Sequence, residues 1–238
     1  MRIEMRMMLL AFTAVLALQA ENPAEPFARS KEYPWMSVST WKGMHEAMVK
    51  RAKEGGIDLM FLGDSITQGW GSNAVWEKYY GAEKAVNFGI GGDTTQNVLW
   101  RIMNGELEGL SPKVVVLLIG TNNFGLNGDS VDGVAKGVAA VVQTLRKKMP
   151  KTRVLLLGVF PRDEKPKTDG RNKIAKLNEQ LSKMEDRKSV RYLDLGPKFL
   201  QPDGSISKDI MPDFLHLSEK GYQIWAESMD PLLREMLK

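Results

Sequence analysis

Cysteine is absent from this 238-residue chain. That excludes disulfides, thiolate catalysis, cysteine-linked lipid anchors and most structural zinc sites. It leaves the compartment open, because a domain of this length needs no covalent staples. Histidine is scarce: His45 and His216 are the only two. Charge of one sign is scarce as well, with 33 Lys+Arg against 29 Asp+Glu and a net charge of +4. The basic residues are scattered or mixed with acids, as in Arg162-Asp163-Glu164-Lys165. A nucleic-acid footprint needs a clustered basic stripe and a matching motif, so no nucleic-acid partner is expected. Low-complexity tracts, internal repeats and linkers are also missing, which leaves one domain with an ordinary globular composition.

The one stretch of different character is residues 1–20. Arg2 and Arg6 precede the apolar run Met7 to Leu18, which ends in Gln19-Ala20-Glu21. A charged head, a short apolar centre and a small exit residue describe a secretory signal peptide. The run is shorter than the roughly 20 apolar residues that span a bilayer. Glu4 in the head and Leu18 near the exit fit this pattern less well, and the other reading is an N-terminal helix packed on the domain. The expectation is therefore a leader over 1–20, a Pro-rich lead-in over 21–40 and the working domain over 41–238. The mature protein is expected to be secreted or periplasmic, with no stable membrane insertion once the leader is removed.

Beyond the lead-in, apolar runs alternate with helical spacing. Strands are expected over Ile57 to Leu62, Ala85 to Phe88, Lys113 to Ile119, Arg153 to Val159 and Val190 to Leu195. Continuous apolar runs of this length suit strands buried on both faces of a parallel sheet. Helices are expected over Thr40 to Glu54, Thr94 to Met103, Val131 to Met149, Asn172 to Asp186 and Ser218 to Leu237. Such alternation predicts an α/β fold, a parallel sheet wrapped by right-handed crossovers.

In open parallel sheets, ligands bind beyond the carboxyl ends of the strands. Those ends carry Gly63-Asp64-Ser65, Gly89-Ile90-Gly91-Gly92-Asp93-Thr94 and Gly120-Thr121-Asn122-Asn123, with Asp213-Phe214-Leu215-His216 near the chain terminus. A serine nucleophile needs a base that titrates near neutrality, and imidazole is the usual one. His45 lies in Gly43-Met44-His45-Glu46, away from any strand end, and is expected at the surface. His216 follows Asp213 by three residues, a spacing that lets a carboxylate orient the ring. The alternative is that Asp213 caps the final segment and His216 is structural. Ser65 taken alone reads as a turn or cap residue, and it lies outside a Gly-x-Ser-x-Gly elbow.

The run Gly89-x-Gly91-x-x-Thr94 nearly matches a dinucleotide fingerprint. It lacks the third glycine, and a loop over Gly105 to Pro112 follows where a strand ending in an acid is required. A better reading is that Gly92 brings a backbone N–H close to a ligand oxygen. With the Ser65 N–H and the Asn122 amide it makes three donors for a tetrahedral oxyanion. Asn122 also reads as an ordinary turn residue.

These blocks, in this order, resemble the SGNH (GDSL-type) hydrolases. The second block, extended by Val98-Leu99-Trp100-Arg101, is most similar to the branch of the catalytic subunits of intracellular platelet-activating-factor acetylhydrolase. The likeness runs from about Trp41 to Leu233. It implies a flavodoxin-like three-layer α/β/α fold with a five-stranded parallel sheet. By motif it assigns Ser65 as nucleophile, Gly92 and Asn122 as oxyanion donors, Asp213 and His216 as acid and base, and a structural role to Asp64. Ile66 stands where many members have leucine. A leader is not expected of the intracellular enzyme, so its lipid substrate does not transfer directly.

The expected function is a serine esterase with an acyl-enzyme mechanism, requiring no metal or cofactor. Short acyl groups, and acetylated saccharides in particular, are the expected substrates, by analogy with secreted relatives and because no long apolar lid is visible. Trp70, Trp76, Phe124, Phe160 and Phe214 are candidates for stacking on a sugar or lining an acyl slot, although such residues more often complete a core. A lipid-directed acylhydrolase is the rival enzyme, and a silent carbohydrate-binding module the rival of another class. The branch resembled pairs its subunits, so a homodimer is possible.

Overall fold

Val114-Val115-Val116-Leu117-Leu118 and Leu59-Met60-Phe61-Leu62-Gly63 have every residue buried, because neighbouring side chains in each strand enter opposite cores. A computed structural model describes residues 22–238, so the expected leader lies outside the described residues. The five strands are β1 (Leu59–Gly63), β2 (Ala85–Gly89), β3 (Val114–Leu118), β4 (Arg153–Leu157) and β5 (Val190–Leu193). They form one all-parallel sheet in the order β2-β1-β3-β4-β5. Each lies within or a residue beyond its expected range.

The helices are α1 (Val38–Lys53), α2 (Ser65–Gln68), α3 (Ala74–Tyr80), α4 (Thr95–Met103), α5 (Val131–Lys148), α6 (Asp169–Ser182) and α7 (Glu219–Leu237). One face of the sheet gives Met60, Leu62, Val115, Leu117 and Leu156 to a core shared with Val98 of α4, Val138 of α5 and Leu177 of α6. The other face gives Leu59, Phe61, Val116 and Leu155 to a core shared with Val75 of α3 and Trp225, Met229 and Leu233 of α7. This is the three-layer α/β/α sandwich. Full burial of one such side chain is worth about 1.5–3 kcal/mol.

Helix boundaries differ from expectation where a cap decides them. Ser37 Oγ accepts from Thr40 N at 2.9 Å, so α1 starts at Val38 rather than Thr40. Thr168 Oγ1 accepts from Arg171 N at 3.1 Å and starts α6 three residues early. α6 stops short of Asp186, whose Oδ1 accepts from Lys188, Ser189 and Val190 N and holds a turn. α2 and α3 fall in a stretch expected as loop, being too short to show a helical period.

One expectation is corrected. His45 is buried, 7% exposed, and its Nδ1 lies 2.9 Å from Glu106 Oε1. The ring also packs beside Trp41 and Trp100, so helix α1 turns this face inward. The five candidate aromatics take the core alternative: Trp70 and Phe160 fill the α7-side core, Trp76 and Phe214 pack against it, and Phe124 packs on the opposite core.

Residues 22–37 lie across the domain near the strand ends. Thr95 Oγ1 donates to Pro23 O at 2.9 Å, Phe27 N to Gln96 O at 3.1 Å, and Asn97 Nδ2 to Phe27 O at 2.9 Å. The lead-in is thus stitched to α4 and forms a wall of the cleft described next. No helix among the described residues is long and apolar enough to cross a membrane.

Candidate active site

β1 ends at Gly63, and Asp64 then caps α2 by accepting Ile66 N on Oδ1 at 3.0 Å. Ser65 follows as the first helical residue. The turn is packed against the end of β2: a Cβ at Gly89 would collide with backbone atoms of Thr67 and Gln68, so only glycine fits. Tyr222 OH of α7 donates to Ile66 O at 2.7 Å and holds α2 from the other side.

Asp213 and His216 lie in the loop before α7. Asp213 Oδ1 accepts from Leu215 N at 3.0 Å and His216 N at 2.7 Å, a local turn that brings the carboxylate beside its own imidazole. Asp213 Oδ2 is 2.6 Å from His216 Nδ1, and His216 Nε2 is 2.9 Å from Ser65 Oγ. Burial pushes Asp213 up, but the bonds from the His216 side chain and the His216 and Leu215 amides outweigh it. The carboxyl is held below its ordinary value. Hydroxyl, imidazole and carboxylate therefore touch in sequence.

Gly92 and Asn122 line the same cleft as Ser65 and His216, about 470 Å³ in volume. Gly92 has φ +74, a left-handed conformation, with the Trp35 ring where a Cβ would stand. Gln68 Oε1 accepts from Gly91 N at 2.6 Å, and Arg29 Nη2 donates to Gly91 O at 2.7 Å. Asn122 Nδ2 donates to Asp93 O at 3.0 Å, which spends one of its two amide protons and leaves the other.

A charged cluster lies beneath these loops, and the sequence did not single it out. Asp93 Oδ1 accepts from Trp41 Nε1 at 2.7 Å and Arg29 Nη2 at 3.1 Å. Arg101 Nε lies 2.8 Å from Asp93 Oδ2 as an ion pair, although its N–H is not aimed along that line. Arg101 also donates to both Glu106 oxygens and to the carbonyls of Gly63 and Phe88. One guanidinium thus ties together the ends of β1 and β2. Burial pushes Asp93 up to about 6 against the pull of Arg101 and Arg29, so it stays mostly anionic at neutral pH. Burial pushes Asp64, 1% exposed and with Oδ2 unpartnered, up to about 7.

Among the described residues none of the five expected aromatics lines the cleft. The aromatic at its mouth is Trp35, 54% exposed, stacked on Tyr33 at 4.7 Å between ring centroids. Met36, Leu126 and Leu215 add apolar wall. Arg162 adds a loosely held cation, its Nη1 3.4 Å from Thr121 Oγ1 and its Nε 3.7 Å from Asp163 Oδ1. Nothing local in Glu32-Tyr33-Pro34-Trp35 announces this role, because it arises from contact with a loop nearly 60 residues away. No group of three or more metal-ligating side chains occurs among the described residues.

The profile of the GDSL-like lipase/acylhydrolase family matches residues 61–224. The chain is 38% identical over 221 residues to human platelet-activating factor acetylhydrolase IB subunit alpha1, covering 91% of this chain and 92% of that one. It is 38% identical over 199 residues to the rat alpha2 subunit, covering 83% and 85%. A GDSL-like lipase from Bacteroides thetaiotaomicron superposes with a TM-score of 0.66 at 20% identity, covering 83% of this chain and 97% of that one. A variant of an acetylxylan esterase from Geobacillus stearothermophilus superposes at 0.58 with 19% identity, covering 76% and 94%. These two solved structures share the fold.

Proposed function

The chain belongs to the GDSL-like lipase/acylhydrolase family and is a carboxylic ester hydrolase, and from that premise we propose that Ser65, His216 and Asp213 perform the hydrolysis. His216 Nε2 takes the Ser65 proton as Oγ attacks the ester carbonyl. The developing oxyanion is received by the amides of Ser65 and Gly92 and the side chain of Asn122. His216 then returns the proton to the departing alcohol, leaving an acyl-Ser65. Water repeats the sequence: His216 accepts its proton, its oxygen attacks the acyl carbon, and Ser65 leaves reprotonated with the free acid released. Asp213 holds the imidazole with Nδ1 as donor and balances the transient imidazolium charge. The observation that carries this reading is the 2.9 Å contact from His216 Nε2 to Ser65 Oγ.

For substrate we propose short acyl esters, acetyl above all, on saccharides outside the cytoplasm. The exposed Trp35 ring beside the cleft supports this, since such a face stacks on sugar rings. The fold shared with an acetylxylan esterase is in keeping with it. The apolar leader pattern of residues 1–20 supports export. A lipid-directed reading is favoured by a different observation, the 38% identity to platelet-activating factor acetylhydrolase subunits. Pairing of two copies belongs to the same set of proposals.

The test is an ester panel on the mature protein: p-nitrophenyl esters of increasing acyl length, acetylated xylooligosaccharides, and acetylated or lyso glycerophospholipids. Wild type is expected to cleave short acyl esters and to be labelled at Ser65 by an organophosphate. Ser65→Ala, with its fold checked by circular dichroism, is expected to lose turnover. Undiminished turnover in that variant sinks the mechanism, and preference for the phospholipids sinks the saccharide assignment alone.

A further inference from the structure

The Arg29 guanidinium is an unusual group to find in a chain lead-in. It is 4% exposed and sits within 6 Å of three aromatic centroids: Tyr33 at 5.5 Å, Trp35 at 5.8 Å and Trp41 at 5.8 Å. Its Nη2 donates to Gly91 O at 2.7 Å and to Asp93 Oδ1 at 3.1 Å. The Gly91 carbonyl belongs to the same peptide unit as the Gly92 N–H. In a trans peptide these two groups point in opposite directions across one rigid plane. Holding the carbonyl from behind therefore fixes where the N–H points. Gly92 is left-handed and flanked by another glycine, so its own backbone restrains that plane weakly.

We propose that Arg29 is a positioning residue for the oxyanion hole, aiming the Gly92 N–H at the ester oxygen through its bond to the Gly91 carbonyl. The inference rests on the catalytic reading above. The bond acts in two ways. It removes the reorientation otherwise required as charge develops, and preorganised donors are where most oxyanion stabilisation comes from. It also polarises the peptide, because a donor to the carbonyl strengthens the N–H on the other side. The lead-in is anchored independently by Pro23 and Phe27 against Thr95, Gln96 and Asn97, so removing the guanidinium does not release the segment. The aromatic cage limits the space into which Arg29 can swing.

The test compares Arg29→Met and Arg29→Lys with wild type on p-nitrophenyl acetate and on an alkyl trifluoromethyl ketone, which captures the serine as a hemiketal oxyanion. Arg29→Met is expected to lower kcat about 10- to 100-fold, less than the hundred- to thousand-fold typical of deleting a donor outright. KM is expected to stay within about threefold, and the ketone Ki to rise in step with the loss of kcat/KM. Arg29→Lys, which keeps a cation but not the planar fork, is expected to fall between, and it serves if the methionine variant fails to fold. Trp41→Phe is the control, because it removes the other donor to Asp93 Oδ1 without touching Gly91. Unchanged kcat, a lowered kcat with an unchanged ketone Ki, or the same losses in Trp41→Phe each overturn the proposal. A wild type that neither turns over esters nor reacts at Ser65 refutes the catalytic reading instead.

Discussion

Asp64→Asn probes the electrostatics directly under the nucleophile. Asp64 Oδ1 receives Ile66 N, Oδ2 receives nothing, and burial pushes the carboxyl from 3.8 up to about 7. In the unfolded chain an aspartate titrates near about 3.9. Between these values the folded protein holds a proton that the unfolded chain has released. The stabilisation from this group is therefore complete below about pH 4 and is lost as pH rises through about 7. A difference of about three units at 1.36 kcal/mol each is about 4 kcal/mol in all, of which about 3 kcal/mol is lost between pH 4.5 and 8. Asparagine preserves the capping oxygen and removes the titration. Any pH-independent cost of its buried NH2 cancels when the mutant-minus-wild-type difference at pH 8 is compared with that at pH 4.5. Urea unfolding at those two pH values is expected to show the mutant gaining up to about 3 kcal/mol on wild type across the interval. Parallel pH profiles for the two proteins would refute the reasoning.

The buried cluster gives a second prediction: Arg101→Met removes the cation shared by Asp93 and Glu106, leaving Asp93 to Trp41 and Arg29 and Glu106 to His45, and is expected to cost about 3–5 kcal/mol, read by denaturant midpoint. Gly92→Ala forces a Cβ into the Trp35 ring at φ +74 and is expected to lower both melting temperature and kcat; adding Trp35→Ala should recover part of the stability but leave the strain of the φ. Asp213→Asn is expected to lower kcat by about 10⁴ with little change in KM, because the amide presents the wrong partner to His216 Nδ1. Because the Asp213 carboxyl is held below its ordinary value, its hold on the imidazole is present above that lowered value and is lost only as pH falls through it.

The parts of the fold that were legible are those whose cause is local. Val114 to Leu118 reads as a two-faced buried strand because the run is short, rich in β-branched valine and bounded by Pro112 and Gly120. Ser218 before Glu219, with apolar steps to Met236, marks α7 from its own cap and stripe. Asp213 and His216 were legible for a similar reason, since a three-residue spacing lets one short turn build their contact. α3 was not, because seven residues between Asn73 and Gly81 give too few turns for a period to appear.

His45 shows why the remainder stayed hidden. Its neighbours Gly43, Met44 and Glu46 carry no sign of burial, and its partner Glu106 lies in a stretch that reads as plain loop. Glu106 pairs with the buried Arg101 cation, which also donates to two strand-end carbonyls, and His45 in turn meets Glu106. The same holds for Arg29 and Trp35, whose roles exist only once residues 22–37 are laid over the Gly91–Gly92 peptide. A motif records the groups that meet the substrate. The charges that hold those groups in place come from remote segments, and no spacing rule ties them together. A search for such supports is best begun from a carbonyl on the back of a donor peptide, followed outward to whatever cation reaches it.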